Sequence, residues 1–292
     1  MKISTALEHG VNNGLSYTEC AKAMKDAGFQ GIDLSLCKHQ MDKANFITDE
    51  WTRDVIEQAD AAKGAGLEIA QCHLPYYPGH LDNPGSGTVE ELIDLLVPQY
   101  EHALKAAKEV GAKICVVHPV CYLESREKTI DANVRIFKEI IGTIEHNGQQ
   151  LAVENCFARR HSQYVTAFIE QKETIMEIID RVGSQNIGAC IDTGHANIFR
   201  YDICEMARFY GKKLFALHVN SNAGHDEHAI PYNIAGWCER MDFFGFTKAL
   251  NEIGFTGFYN LEITGGKFPK EVAPLFYAYA AGVAKYLADY EG

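Results

Sequence analysis

Six residues with metal-binding side chains recur at one kind of position, each closing a short apolar run. They are His73, His118, Glu154, Asp192, His218 and Glu262, at the ends of Cys72-His73, Val116-Val117-His118, Ala152-Val153-Glu154, Cys190-Ile191-Asp192, Ala216-Leu217-His218 and Asn260-Leu261-Glu262. A lone polar residue at a strand end is ordinarily solvated or engaged in a turn. Six at the same point of a repeat call for a shared cause. Carboxylates mixed with imidazoles form an oxygen and nitrogen donor set suited to Mn²⁺, Mg²⁺, Co²⁺ or Zn²⁺. Gathered into one site, the acids would repel one another without a cation among them, so a divalent metal is the expected cofactor.

The elements that must position these side chains follow from the same repeat. A segment of helical period ends at a glycine, and an apolar run begins a few residues later, after Gly28, Gly66, Gly111, Gly148, Gly183, Gly211 and Gly254. Glycine is the expected residue just past a helix, where the chain turns left-handed. The segments between carry apolar residues at helical spacing, such as Phe137, Ile140, Ile141 and Ile144. With the opening segment 2–7, the runs make eight strands. Strict alternation of strand and helix implies a parallel α/β sheet, and eight repeats without a central break predict a (β/α)8 TIM barrel as a single domain over residues 1–292. No GxGxxG follows the first strand, which argues against a dinucleotide-binding fold. Side chains two apart share a strand face, placing Ala152, Cys190 and Ala216 beneath Glu154, Asp192 and His218. Small residues there leave room for a site above, at the end of the barrel where active sites of this fold lie.

With these residues in place, the chain resembles the xylose-isomerase-like barrel superfamily, which holds sugar isomerases, epimerases and inosose dehydratases and includes endonuclease IV. The resemblance spans nearly the whole chain. It is carried by Val153-Glu154-Asn155, Asp192-Thr193-Gly194-His195-Ala196, Leu217-His218-Val219-Asn220 and Asn260-Leu261-Glu262. It implies that Glu154, Asp192, His218 and Glu262 hold one metal ion and that Glu154 and Glu262 are also the acid/base catalysts. On an α-hydroxy carbonyl substrate, the metal would stabilise an enediolate while the two glutamates move a proton. Epimerisation, isomerisation and β-elimination all remain open on this scaffold. His73, His118, His195, Asp226 and His228 extend the match, because the equivalent positions of endonuclease IV complete a cluster of three zinc ions. These five are either further metal ligands, giving a zinc phosphodiesterase, or, for the three histidines His73, His118 and His195, groups that face a substrate.

The pattern departs from ketose 3-epimerases in carrying Arg160 where they have an acid and Gly224 where they have an arginine. Arg159 and Arg160 follow the fifth strand and are candidates for holding a phosphate or carboxylate. Trp237, Tyr76, Tyr77 and Phe157 are candidates to wall a sugar. Gly265-Gly266-Lys267, after the eighth strand, is a further candidate for phosphate.

Composition narrows the partners. A formal net charge of -12, from 39 acidic and 27 basic residues, gives no footprint for a nucleic-acid backbone. The expected partner is a small sugar-like molecule, with no nucleic acid and no membrane; self-association into a homo-oligomer is left open. Nine cysteines without CxxC spacing read as reduced core thiols. With no apolar signal segment and no membrane-length apolar run, the expected location is cytoplasmic.

Overall fold

Each repeat of the sequence folds as a strand leading into helix. The computed structural model describes residues 1–36, 49–75, 87–233 and 239–291. Eight parallel strands carry the fold: β1 (Ile3–Thr5), β2 (Gly31–Ser35), β3 (Glu68–His73), β4 (Ile114–Val117), β5 (Gln150–Glu154), β8 (Ile187–Asp192), β9 (Leu214–His218) and β10 (Tyr259–Leu261). Their order is β10-β1-β2-β3-β4-β5-β8-β9. A parallel bridge between Val219 and Leu261 joins the two outer strands, with the Val219 N–H donating to the Asn260 carbonyl at 2.8 Å. The sheet thus closes on itself as the expected TIM barrel.

The helices pack outside for reasons visible in their residues. The one over Arg126–Asn147 starts where the Ser125 hydroxyl accepts from the Lys128 N–H and stops at Gly148, which turns left-handed at φ 66 and ψ 31. Between these signals Ile130, Phe137, Ile140 and Ile144 are spaced to bury one face. Gly211 departs from the expected pattern. Its φ of 52 and ψ of -124 lie outside the left-handed helical well, and the chain tightens into a 3-10 turn before β9.

Alternation along the strands divides the interior in two. Val117, Val153, Ile191 and Leu217 belong to the large core beneath the helices. Val116, Ala152, Cys190 and Ala216 form a separate apolar cluster, the layer of small side chains expected inside the barrel. Every cysteine among the described residues is buried and outside any disulfide. No helix among them is long and apolar enough to cross a membrane.

One element was not foreseen. After β5 the chain forms an antiparallel hairpin of β6 (Ala158–Arg160) and β7 (Gln163–Val165), which lies outside the strand and helix repeat. Its turn residues, His161 and Ser162, both take positive φ, at 51 and 63. Such a turn normally announces itself by Asn or Gly, and neither is present.

Candidate metal centre

All six strand-end residues meet at the C-terminal mouth of the barrel. His73, Glu154, Asp192 and His218 are the last residues of β3, β5, β8 and β9, while His118 and Glu262 each stand one residue past their strands. Pairing across β8 and β9 sets Asp192 beside His218. The ligand atoms of Glu154, Asp192, His218 and Glu262 lie within 4.8 Å of one another. His218 Nδ1 is 3.2 Å from Glu154 Oε2 and 3.3 Å from Glu262 Oε2. His73 and His118 also approach Glu154, their Nε2 atoms 3.4 and 3.3 Å from the same oxygen. A further group forms toward solvent, where His228 Nε2 is 2.8 Å and His195 Nε2 3.7 Å from Asp226 Oδ1.

The quoted motifs prove to be braces for one another. Asn155 clamps the backbone of Asp192, donating to its carbonyl and accepting from its N–H, both at 2.9 Å. Asp192 caps the short helix Thr193–Ile198 by accepting from the His195 N–H at 2.6 Å, and its second oxygen accepts from Asn220 Nδ2 at 2.9 Å. The Thr193 hydroxyl donates to the Asn220 carbonyl at 2.6 Å and accepts from the Asn220 N–H at 2.9 Å. Gly194 is required because a Cβ there would stand 1.8 Å from Asn220 Oδ1. Thus Asp-Thr-Gly-His and His-Val-Asn form one hydrogen-bonded unit that aims Asp192 and His218.

Burial opposes charge on all of these groups; neighbours overrule it at Glu154, His218 and His228, and burial prevails at Glu262 and His118. For Glu154 burial works upward, but His218 and His118 overrule it and hold the carboxyl well below the usual range. Burial would lower His218, yet Glu262 and Glu154 raise it well above the ordinary imidazole value. Burial pushes Glu262 up to about 7, with Glu154 and Asp192 adding to the effect and His218 and His228 opposing it. His228 reaches about 9, because Glu262 and Asp226 outweigh burial. His118 is pushed down to about 4 by burial. The acids therefore draw protons onto His218 and His228, taking positive charge from the nearest source.

The donor set fits a divalent cation. Both oxygens of Glu154, both ring nitrogens of His218 and Glu262 Oε2 are buried without a hydrogen-bond partner among the described residues. Charged atoms left in that condition are costly. A cation bound by Glu154, Asp192, His218 Nδ1 and Glu262 would satisfy the carboxylate oxygens and Nδ1 together, leaving His218 Nε2, which faces Asp33, for a partner of its own.

Above the cluster opens a cavity of about 410 Å³, lined by His9, Asp33, His73, His118, Phe157, Arg159, His195, Asp226, His228 and Glu262 among others. Glu154 lies deeper, 0 % exposed, and is absent from that lining. Arg159 is held over the rings of Phe157 and Tyr164, at 5.0 and 5.8 Å. Arg160, its neighbour on β6, is exposed and does not line the cavity. Trp237, Tyr76 and Tyr77 lie outside the described residues.

Among the cavity residues that escaped the sequence reading are His9 and Asp33. His9 is buried just past β1, its Nε2 3.2 Å from the Thr5 hydroxyl, and burial lowers it to about 4. Asp33 is 8 % exposed on β2. Its signal was present, as an acid within the otherwise apolar run Gly31-Ile32-Asp33-Leu34.

Comparison with known proteins agrees with this fold. The family model described as xylose isomerase-like TIM barrel matches residues 21–281. A probable endonuclease 4 of Mycoplasmoides gallisepticum is 27% identical over 195 residues, 62% of this chain and 61% of that protein. An inosose isomerase of Bacillus subtilis is 22% identical over 182 residues, covering 61% and 63%. The matches thus span about three-fifths of the length of these curated relatives. The D-psicose 3-epimerase of Clostridium cellulolyticum H10, solved with D-tagatose, superposes with a TM-score of 0.70 at 16% identity over 99% of both chains.

Proposed function

The chain belongs to the xylose isomerase-like TIM barrel family, and we propose that it is a metal-dependent isomerase or epimerase of a sugar or sugar-like substrate. One observation carries this reading: buried Glu154, Asp192 and His218 and half-buried Glu262, their ligand atoms within 4.8 Å of each other, form the floor of a sugar-sized cavity. When bound there, a divalent cation supplies Lewis acidity to a carbonyl oxygen and its adjacent hydroxyl. Glu262 lines the cavity, where its carboxylate would accept a proton from carbon and give it up again. Glu154 is held as the carboxylate by its imidazole neighbours and serves as the second member of the pair. His73, His118 and His195 line the cavity, which supports a role in receiving the hydroxyls of a polyol. Phe157 supplies an apolar wall, and Arg159 supplies a fixed positive charge at the rim.

The decisive experiment is turnover in D₂O with Mn²⁺-loaded protein over a panel of ketoses, their phosphates and inososes. Two-glutamate epimerisation places about one solvent deuterium per turnover at the carbon that changes. Glu262→Gln should abolish turnover, by at least about a hundredfold, while folded protein is still recovered. Turnover retained in that variant without solvent label would overturn the pair.

A second reading rests on the group His195, Asp226 and His228 and on the approach of His73 and His118 to Glu154. Together with the four central ligands they make a donor set large enough for three zinc ions and for hydrolysis of a phosphodiester by metal-activated water. Metal stoichiometry separates the two readings. A single bound ion favours proton transfer, and three zinc ions favour the phosphodiesterase.

A further inference from the structure

Asp33 belongs to none of the motifs that built the centre, yet its carboxylate lies inside the barrel beside His218. We propose that Asp33 is a positioning residue that holds the His218 ring with its proton on Nε2, so that Nδ1 presents its lone pair to the divalent cation. This rests on the reading of Glu154, Asp192, His218 and Glu262 as a cation site. The two ring nitrogens face different surroundings. Nδ1 is 3.2 Å from Glu154 Oε2 and 3.3 Å from Glu262 Oε2, the side of the cluster. Nε2 points the other way, 3.5 Å from Asp33 Oδ2, just beyond a made hydrogen bond and within reach of one by a small rotation of the ring.

The carboxylate is itself fixed from several strands. Asp33 Oδ2 accepts from Gln71 Nε2 at 2.9 Å and from Asn260 Nδ2 at 2.7 Å. Asn260 is oriented in turn by the Ser4 hydroxyl, which donates to its Oδ1 at 2.7 Å. Ser4, Asn260 and Gln71 are buried on β1, β10 and β3. Three strands thus hold the acid of a fourth against swinging away. The chemistry requires such a device. A neutral imidazole offers one lone pair, and the partner of its other nitrogen decides which atom offers it. His218 is the only nitrogen donor among the four central ligands, so a proton on Nδ1 would set an N–H against the cation.

The test is Asp33→Asn in the full chain, read by metal binding without substrate, because Asp33 also lines the cavity and activity would mix two effects. Chelator-stripped parent and variant are titrated with Zn²⁺ against a chelator of known affinity. The variant should bind about 10- to 100-fold more weakly, the usual effect of removing such a hydrogen-bond partner. The Zn²⁺-loaded proteins are then compared by long-range ¹H–¹⁵N spectra of the imidazoles. In the parent the His218 Nε2 proton should persist in slow exchange, and in Asp33→Asn it should exchange faster or be lost. Mere loss of one negative charge would weaken binding but leave that proton unchanged. Should Asp33→Asn fail to fold, Gln71→Met removes one clamp while keeping the acid and should produce a smaller change in both readouts. A folded variant that binds Zn²⁺ as tightly as the parent, or an unchanged Nε2 proton, overturns the role of Asp33. A parent that binds no divalent cation overturns the cation site itself, and the role with it.

Discussion

At the scale of single residues, the centre is a competition between burial and charge. Glu262 at about 7 and His218 well above its ordinary value are both protonated, wholly or in part, at neutral pH when the side chains stand alone. A cation needs the carboxylate and the neutral imidazole, so its binding must expel those protons. Both values are raised by the surroundings, which fixes the sign: apparent metal affinity falls as pH drops through 7 and rises above it. Each displaced proton contributes about tenfold per pH unit below the pKa of its group. Isothermal titration of chelator-stripped protein with Mn²⁺ in buffers of differing ionisation enthalpy should report net proton release at pH 6.5. Uptake of metal with no proton release would show that these groups are not its ligands.

At the scale of elements, the unit that matters is the junction of β5, β8 and β9 with the helix Thr193–Ile198. Its members are tied by side chain to backbone bonds, so a small intrusion at one point displaces several others. Gly194→Ala tests this. The new methyl would meet Asn220 Oδ1 at 1.8 Å, and moving Asn220 breaks its bond to Asp192 Oδ2. Overpacking of this kind costs about 1–3 kcal/mol. Thermal unfolding should show a lowered midpoint, and metal affinity should fall with it because Asp192 loses its brace. Ala196→Gly, two residues along the same helix and on its other side, weakens the helix and should leave metal affinity near that of the parent. Equal loss of affinity in both variants would reduce the effect to stability alone.

At the scale of the molecule, a formal charge of -12 surrounds an acidic mouth. Association with a polyanion requires cationic groups that displace condensed counterions, and the cavity offers Arg159 against Asp226 and Glu262 at its rim. Binding of the Mn²⁺-loaded protein to a labelled duplex, plain or with an abasic site, should be negligible at physiological salt by fluorescence anisotropy. Efficient cleavage of the abasic strand would place the phosphodiesterase reading first.

The sequence by itself determined the repeat, and with it the barrel, because a strand that ends in a polar residue after a glycine-capped helix carries its own boundaries. It also foretold the central cluster, since Glu154, Asp192, His218 and Glu262 occupy one position in successive repeats and the fold brings such positions together. What it left open depended on contacts between distant segments. The parity of β2 turns Asp33 inward, but only closure of the barrel, with Asn260 on one side and Gln71 on the other, brings its carboxylate to His218 Nε2. Arg159 and Arg160 are equivalent as a sequence pair. The hairpin separates them, because neighbouring strand residues face opposite ways, and its turn of His161 and Ser162 gave no glycine or asparagine by which to recognise it. Local patterns record what a segment prefers, whereas the partner of a buried polar atom is chosen by whichever strand the tertiary structure sets beside it.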